Sequence, residues 1–533
     1  MRAQSRSSEL AHPDHALEAQ KTILGHPRGL FVLFFAEMWE RFSYYGMRAL
    51  LIFYLVQHWM FSDSDASVIY GAYTALVYIA PVVGGYLADR YLGQRKAVLF
   101  GAVLLTFGHF LMAFEGTGGQ DAPEMNIFWL ALSFIIVGSG FLKANISVMV
   151  GQLYPRTDIR RDPAYTIFYM GINLGAMLGS LIAGYLGQTY GWKYGFGAAG
   201  VGMLLGLVVF VIGKPMLMGR GESRAPERLA KPVLGGITFE WVLYALAFLS
   251  VGLVWFMIQN QKLVGFLLGG AGVVLLGYVL VTAVFKLSRE ERNRIIAALY
   301  LIVGSILFWA LFEQAGASLN LFTDRSVDRA IFGWEVPASM FQSLNSMYII
   351  ALAPLFAMFW LWLAKRGWEP SAPAKFALGV VMVGLGFLVL VWGAQAAGPG
   401  ATPVIFIFLI YLIHTMGELC LSPVGLSAMN RLAPAQMASL IMGAWFFASA
   451  TGNFAAGLIS AATGGEGGGV DRVMEVYFNV GWLAVGVGVV MLVIAPVVKK
   501  LMHLETLRDD DLAGQSELGE PAAAGIDVTE ERR

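Results

Sequence analysis

The first apolar segment of this 533-residue chain carries six polar side chains that could do chemistry. They are Glu37, Glu40, Arg41, Tyr44, Tyr45 and Arg48. At 100° per residue these positions fall within an arc of about 140° on a helix, so they form one continuous polar face. An ionised side chain at the bilayer centre costs about 2.5 kcal/mol or more, so this face needs partners or water. Two interpretations remain: an ion-pair cluster that holds helices together or, as we favour, the wall of a pathway.

Further polar residues interrupt other apolar segments. Lys143 is difficult to explain as packing, so we assign it a function, and Glu313 is a second isolated charge. Asn173 and Asn345 could equally form hydrogen bonds between helices, each worth about 0.6–2 kcal/mol. His414, one turn before Glu418, suggests a proton relay, but we interpret it as structural. For Tyr78, Trp309 and Trp445, core packing and substrate contact are both open.

The elements that must position these residues are long apolar helices. Hydrophobic residues make up 57% of the chain and charged residues 14%, which is far from a soluble domain. Spans of about 20 apolar residues are long enough to cross a bilayer. We predict a first group of six helices at 29–57, 67–88, 97–114, 126–150, 164–187 and 191–213. A second group of six is predicted at 293–316, 338–364, 375–396, 403–430, 436–462 and 473–498. Two further apolar runs, 238–258 and 263–285, carry almost no polar residue at membrane depth, so we expect them to face lipid.

Basic residues concentrate in alternate loops, which predicts that those loops and both termini are cytoplasmic. The clusters are Arg90, Arg95 and Lys96; Arg156, Arg160 and Arg161; the linker 214–235; Lys286 to Arg294; Lys365, Arg366 and Lys375; and Lys499 with Lys500. Arg325, Arg329 and Arg472 are exceptions in predicted outer loops. We therefore divide the chain into a cytoplasmic segment 1–28, a six-helix bundle 29–213, a linker with two extra helices 214–290, a second bundle 291–498 and a cytoplasmic tail 499–533, predicted to be disordered.

Several classes of function are excluded by what the chain contains. There are 36 basic and 36 acidic residues, so the chain lacks the net positive charge that is typical of nucleic-acid-binding proteins. Residues 1–20 lack the layout of a cleavable signal peptide. The single Cys420 cannot form an intramolecular disulfide. Against a receptor or an embedded enzyme, the sequence has no P-loop, HExxH or GxSxG motif and no large polar segment. We expect no catalytic residues, no metal and no cofactor.

The loop after the second predicted helix is the first recognisable motif. Residues 85–96 read GYLADRYLGQRK, which resembles the signature loop of the major facilitator superfamily. The corresponding loop of the second half, from Leu363 to Gly367, is a weaker repeat of this motif that lacks the acidic residue. This resemblance implies an all-α membrane fold with two six-helix bundles around a central cavity, here with a two-helix insert and about 14 transmembrane helices in all.

Three further motifs resemble the bacterial proton-dependent oligopeptide transporter (POT) family. Residues 37–46 read EMWERFSYYG and match the pattern ExxERFxYYG. Residues 168–176 (FYMGINLGA) and 417–425 (GELCLSPVG) match two more family signatures. The resemblance covers about residues 28–498, and the two-helix insert is typical of bacterial members.

The family resemblance implies a role for each candidate residue. Arg41, Lys143 and Tyr45 would receive the carboxylate end of a peptide, and Glu313 would receive its amino group. Asn173 and Asn345 would bind the peptide backbone, with Tyr44 and Tyr78 nearby. Trp309, Trp445 and Ser449 would shape side-chain pockets. A zwitterion needs a cationic and an anionic pole at fixed separation, which this scheme provides.

Coupling and gating are also expected from these charges. Glu37, Glu40, Arg41 and Glu313 would couple transport to protons. Arg48 with Glu313 would close the outer side, and Lys143 with Glu418 the inner side. Two departures from the family limit the resemblance. Residues 69–71 lack the histidine of animal members, and Phe312 occupies the first position of a glutamate pair found in some bacterial relatives.

The sequence thus predicts a proton-coupled symporter that imports di- and tripeptides by alternating access. It would act as a monomer in the lipid bilayer of a bacterial inner membrane, with protons as coupling ion. The alternative is a facilitator of the same fold for another small zwitterion or anion such as nitrate.

Overall fold

The computed structural model describes residues 22–155, 158–434, 437–464 and 469–504. Residues 1–21 of the predicted segment 1–28, residues 505–533 of the predicted tail 499–533, and Arg156 lie outside the described residues. All fourteen predicted long helices are present. Twelve of them are, by length and composition, able to cross a membrane. The other two, α1 (Arg28–Phe53) and α15 (Ala438–Thr463), are 26 residues each and lie within the bundles.

The first bundle contains six helices. Its members are α1 (Arg28–Phe53), α2 (Asp63–Leu87), α3 (Gln94–Met112), α4 (Met125–Gln152), α5 (Arg161–Tyr190) and α6 (Trp192–Gly213). Single π-turns extend α1 (Tyr54–His58) and α2 (Ala88–Leu92). The side chain of Ser62 caps α2 by accepting a hydrogen bond from the Asp65 backbone, 3.1 Å away. A buried apolar core joins these helices, with Tyr44, Phe53, Trp59 and Phe168 among its large members.

The insert follows the first bundle. It comprises the short helix α7 (Pro226–Ala230), a two-strand hairpin of β3 (Pro232–Leu234) and β4 (Ile237–Thr238), and the long helices α8 (Phe239–Gln259) and α9 (Gln261–Phe285). An earlier pair, β1 (Thr22–Ile23) and β2 (His26–Pro27), precedes α1. Both long insert helices leave most of their apolar side chains exposed, for example Leu249, Phe266 and Val273.

The second bundle begins at a capping box. Ser288 and Glu291 bond to each other's backbone amides and start α10 (Arg289–Phe312). The rest of the bundle is α11 (Ser318–Ser326), α12 (Ser343–Ala364), α13 (Ala372–Ala397), α14 (Ile405–Leu432), α15 (Ala438–Thr463) and α16 (Val470–Leu501). Short strands β5 (Val327–Asp328), β6 (Ala330–Ile331), β7 (Trp334–Glu335) and β8 (Thr402–Pro403) lie in its loops. A separate apolar core holds this bundle together.

The two bundles contact each other at the end where α1 and α5 finish and α2 begins, which we call the outer end. Ser67 and Ser460 share a hydrogen bond of 2.7 Å between α2 and α15. Asn320 donates to the Ala49 carbonyl at 3.1 Å. At Gly71 an added Cβ would lie 2.7 Å from the Gly457 Cα, so only glycine permits this approach of α2 to α15.

The three arginines that break the charge pattern of the loops have acidic partners at the outer end. Arg325 forms an ion pair with Asp63, and Arg329 lies 3.0 Å from Glu335. Arg472 lies 2.8 Å from Glu475. Each of these positive charges therefore has an acidic partner nearby.

Candidate functional site

The polar face of α1 is buried inside the protein. Arg41 donates from Nε to Glu37 Oε1 at 2.6 Å, and its Nε lies 3.1 Å from Glu40 Oε2. Glu37 and Glu40 are each 1% exposed. Both oxygens of Glu40 and Oε2 of Glu37 are buried without a hydrogen-bond partner. Two carboxylates thus share one guanidinium, and Glu40 is held by charge alone.

Lys143 on α4 lies beside two of the predicted tyrosines. Its Nζ is 3.8 Å from the centroid of the Tyr78 ring and 5.7 Å from that of Tyr44. Among the described residues no carboxylate lies within 4 Å of this ammonium group. Cation–π contacts stabilise the charge without neutralising it. The structure therefore brings Lys143, Tyr44 and Tyr78 together and leaves the ammonium group able to accept an anion.

Arg48 and Glu313 link the two bundles. The helix α10 ends at Phe312, and a 3₁₀ turn, Glu313–Gly316, directs the Glu313 carboxylate toward α1. There Arg48 Nη2 donates to Glu313 Oε2. The same guanidinium donates from Nε to the Tyr70 hydroxyl at 2.5 Å and lies 5.7 Å from the Tyr45 ring centroid. Gln314 anchors the turn by donating to the carbonyls of Ala310 and Ala456, each at 2.9 Å.

In the second bundle, Asn345 and Glu418 face each other. Asn345 Nδ2 donates to Glu418 Oε2 at 2.8 Å and lies 3.1 Å from Thr415 Oγ1. The amide therefore bridges α12 and α14. The structure does not pair Glu418 with Lys143; in this outer-closed arrangement Asn345 is the partner of the carboxylate.

The remaining predicted binding residues are two that form hydrogen bonds within their own helices and two tryptophans. Asn173 donates to the Tyr169 carbonyl at 3.0 Å, and Ser449 to that of Trp445 at 3.4 Å. Trp445 packs edge-on against Phe376, while the Trp309 Nε1 is buried without a partner. Both the packing and the binding interpretation of these residues stay open. His414 bonds to the Val383 carbonyl at 3.0 Å, a structural contact.

Two residues of the site were missed from the sequence. Tyr70 and Thr415 look apolar or weakly polar within apolar helices, yet they contact Arg48 and Asn345. Tyr70 lies eight residues before Tyr78, so both fall near one face of α2. That spacing was the available signal.

Taken together, the buried charges lie between two helical bundles that close at one end. No group of three or more His, Cys, Asp or Glu side chains in the described part of the chain could hold a metal. The helices cross a membrane, and charged groups inside them mark a pathway for a polar solute. The fold and site define a secondary active transporter of the major facilitator type rather than an enzyme.

Comparison with known proteins identifies the family. A family model described as the POT family matches residues 95–464. The transporter YclF of Bacillus subtilis, described as uncharacterized, is 38% identical over 495 residues, covering 91% of this chain and 96% of its own length. The peptide transporter YePEPT of Yersinia enterocolitica is 39% identical, with 82% and 88% covered. The chain belongs to the POT family of peptide transporters.

Solved structures agree with this assignment. A crystal structure of the peptide transporter POT in complex with sulfate superposes with a TM-score of 0.80 at 36% identity, covering 92% of this chain and 99% of that one. A POT family transporter in complex with 5-aminolevulinic acid gives a TM-score of 0.77 at 31% identity, with 90% and 98% covered. The predicted fold, two six-helix bundles with a two-helix insert, is confirmed.

Proposed function

We propose that this protein is a proton-coupled symporter that imports di- and tripeptides by alternating access. Relatives named for peptide transport support the substrate class, among them the dipeptide and tripeptide permease B of Aliivibrio fischeri, 31% identical over 509 residues. Peptides vary in side chain but share a carboxylate and an amino group at their ends. A binding site for them needs two charged poles, and between the poles it must accept different side chains.

One observation carries the proposal: the cations assigned to the peptide carboxylate and the carboxylate assigned to the peptide amino group belong to opposite bundles. Arg41 and Lys143 lie in the first bundle, and Glu313 lies in the second. Lys143 has no carboxylate partner within 4 Å in the described structure, so it can receive the peptide carboxylate. Glu313 is paired with Arg48, and a peptide amino group would replace that partner. A substrate bridging both poles therefore changes the contact between the bundles, which couples binding to movement.

Proton coupling is assigned to the acidic residues beside Arg41. A proton on Glu40 removes a buried charge that has no hydrogen bond in this conformation, so proton binding and conformation are linked through Arg41. Glu37, which accepts the 2.6 Å hydrogen bond, plays the lesser part. Glu313 is the third candidate because its partner changes when substrate arrives.

Gating is assigned to two pairs of charges. Arg48 with Glu313 holds the outer end closed in the present conformation. Lys143 with Glu418 would close the inner end in the other conformation, after Glu418 leaves Asn345. The binding cavity around the substrate would be lined by seven further side chains: Asn173, Asn345, Tyr45, Tyr78, Trp309, Trp445 and Ser449.

The orientation and surroundings are part of the same proposal. The protein acts as a monomer in a bacterial inner membrane, with segments 1–28 and 499–533 cytoplasmic. The bundles 29–213 and 291–498 rock against each other, and the linker 214–290 stays at their periphery.

The test is uptake into proteoliposomes driven by an inward proton gradient. A labelled dipeptide is competed with unlabelled dipeptide, an N-acetylated dipeptide, free amino acids and nitrate. We expect the free dipeptide to compete and acetylation to weaken competition at least tenfold, because the amino group loses its charge at Glu313. Equal competition by the acetylated peptide would remove Glu313 from the amino pole. Absence of saturable dipeptide uptake, together with uptake of labelled nitrate by the same proteoliposomes, would establish the anion facilitator instead.

A further inference from the structure

The equivalent basic loops of the two halves of the fold differ in how far acidic side chains neutralise them. In the first half, the loop after α2 is covered by the linker that leads to the insert. Arg95 Nε lies 2.6 Å from Glu222 Oε1, and Lys96 Nζ lies 2.6 Å from Glu240 Oε1. The hydrogen bond from Arg95 also holds the pKa of Glu222 below its ordinary value. The Arg95 backbone amide donates to the Gly221 carbonyl at 2.9 Å. Protein carboxylates therefore neutralise Arg95 and Lys96.

The corresponding loop of the second half is uncovered. Residues 365–369, which follow α12, are all exposed. Within the described structure, Lys365 and Arg366 have no carboxylate within ion-pairing distance. Lys375, at the start of α13, is paired with Glu369 and lies 4.5 Å from the Trp360 ring centroid. Two cations of this loop thus remain unneutralised.

Exposed tryptophan side chains lie close in sequence to these cations, and one of them contacts Arg366. The Arg366 guanidinium lies 3.8 Å from the ring centroid of Trp362, which fixes its position. Trp362 is 49% exposed and Trp368 is 69% exposed. The loop begins where a membrane-crossing helix ends, so its side chains lie at the level of the lipid headgroups. Tryptophan prefers that level, and basic residues there attract anionic lipids.

We propose that Lys365 and Arg366, with Trp362 and Trp368, bind the phosphate of an anionic phospholipid headgroup. The lipid takes the place that Glu222 and Glu240 occupy in the first half. The guanidinium stacked on Trp362 supplies paired N–H donors for phosphate oxygens, and the exposed tryptophan rings pack on the glycerol and upper acyl region. The proposal does not depend on which substrate the protein carries.

The test measures retained lipid on the full chain by native mass spectrometry. The purified protein is titrated with phosphatidylglycerol or with zwitterionic phosphatidylcholine. The variant Lys365→Gln/Arg366→Gln is compared with Lys499→Gln/Lys500→Gln, which removes two exposed cations at the same end of the same bundle. We expect the loop variant to weaken phosphatidylglycerol binding about tenfold or more and the control to weaken it less than twofold.

Two further arms sharpen the result. Trp362→Ala keeps both charges and should weaken phosphatidylglycerol binding about threefold, because Arg366 loses its stacking surface. Inorganic phosphate at matched concentration should not displace the lipid. Equal losses in the two double variants would mean diffuse attraction, and displacement by inorganic phosphate would mean a soluble anion site. Either outcome, or unchanged binding in the loop variant, would overturn the proposal.

Discussion

Arg48 of the first bundle reaches across to Glu313 of the second, while its Nε donates to the Tyr70 hydroxyl at 2.5 Å. Arg48 is 6% exposed, so the contact is protected from solvent. A buried ion pair stabilises a conformation only while both partners remain, because removing one leaves an uncompensated charge. The pair therefore gives the outer end a closed state that a competing charge can release.

Replacing Glu313 by Gln should open the outer end. Loss of one partner of a buried pair costs about 3–5 kcal/mol, whereas Tyr70→Phe loses one hydrogen bond to a charged group, worth about 1.5–3 kcal/mol. A cysteine at Ser460, in a Cys420→Ser background, reports opening through its reaction rate with a water-soluble maleimide. We expect the rate to rise most in Glu313→Gln and less in Tyr70→Phe. Glu335→Gln, which disturbs an exposed pair within one bundle, is the control and should not change it.

The Asp63–Arg325 pair at the outer rim should contribute much less. Its arginine side chain is 45% exposed, and exposed pairs are worth about 0–1 kcal/mol. Asp63→Asn should therefore raise the same labelling rate no more than about fivefold, and the increase should disappear at about 1 M salt, where charges are screened within about 3 Å. A salt-insensitive effect as large as that of Glu313→Gln would show that this rim pair, rather than the buried pair, holds the outer end closed.

The helices were predictable because a segment that crosses a bilayer needs about 20 apolar residues whose backbone groups form hydrogen bonds within the segment. This requirement does not depend on which helices pack beside it. The ends of the helices were less predictable. The first helix was expected to end at residue 57; its helical path ends one residue later at His58, but its last turn, after Phe53, is a π-turn that hydropathy does not predict. The seventh was expected to begin at 293, but the Ser288–Glu291 capping box starts it at Arg289. Local hydrogen bonds, which hydropathy does not record, set these limits.

The site was predictable where one helix carries it. The face from Glu37 to Arg48 follows from helical periodicity alone. Partners across helices depend on packing and on conformation. From the sequence alone Tyr70 resembles a core residue, and only the folded structure shows that its hydroxyl contacts Arg48. Glu418 is expected to meet Lys143 only when the inner end closes, and in the present conformation, closed at the outer end, it accepts a hydrogen bond from Asn345 instead.

Docking of the linker on the first bundle should depend on pH through Glu222. Its pKa is lowered by the hydrogen bond from Arg95. A lowered folded pKa stabilises the contact above the unfolded value of about 4.3, and this stabilisation is lost as pH falls through the folded pKa. Measured relative to the intrinsic exchange rate at each pH, the protection of the amides in residues 221–230 should therefore fall below about pH 4. Glu222→Gln should show the faster exchange already at neutral pH, and it should lose the pH dependence. If the variant keeps the wild-type profile, another group controls docking.

Lys143 and Glu418 should form an ion pair when the inner end closes. Spin labels at Thr166 and Arg431, near the inner ends of α5 and α14, report the distance between the bundles there. Glu418→Lys alone should reduce the inner-closed population, because two cations would meet. Adding Lys143→Glu should restore it by reversing the pair. The distance distribution measured by pulsed electron resonance decides this. If the double variant behaves like the single one, the two residues do not meet in the closed state.

Glu40 should be required for coupling but not for binding. Neither oxygen of Glu40 has a hydrogen bond, so Glu40→Gln removes a charge without breaking a hydrogen bond. Glu37→Gln, in contrast, loses the 2.6 Å hydrogen bond with Arg41. We expect Glu40→Gln to abolish peptide accumulation driven by a pH gradient while counterflow exchange without a gradient stays within about threefold of wild type. Glu37→Gln should reduce accumulation less. If Glu40 only neutralises Arg41, exchange and accumulation would fall together, since the binding pole itself would be disturbed. Wild-type accumulation in both variants would remove the pair from the proton pathway and leave Glu313 as the coupling carboxylate. Measuring both activities on the same proteoliposome preparation separates these three results.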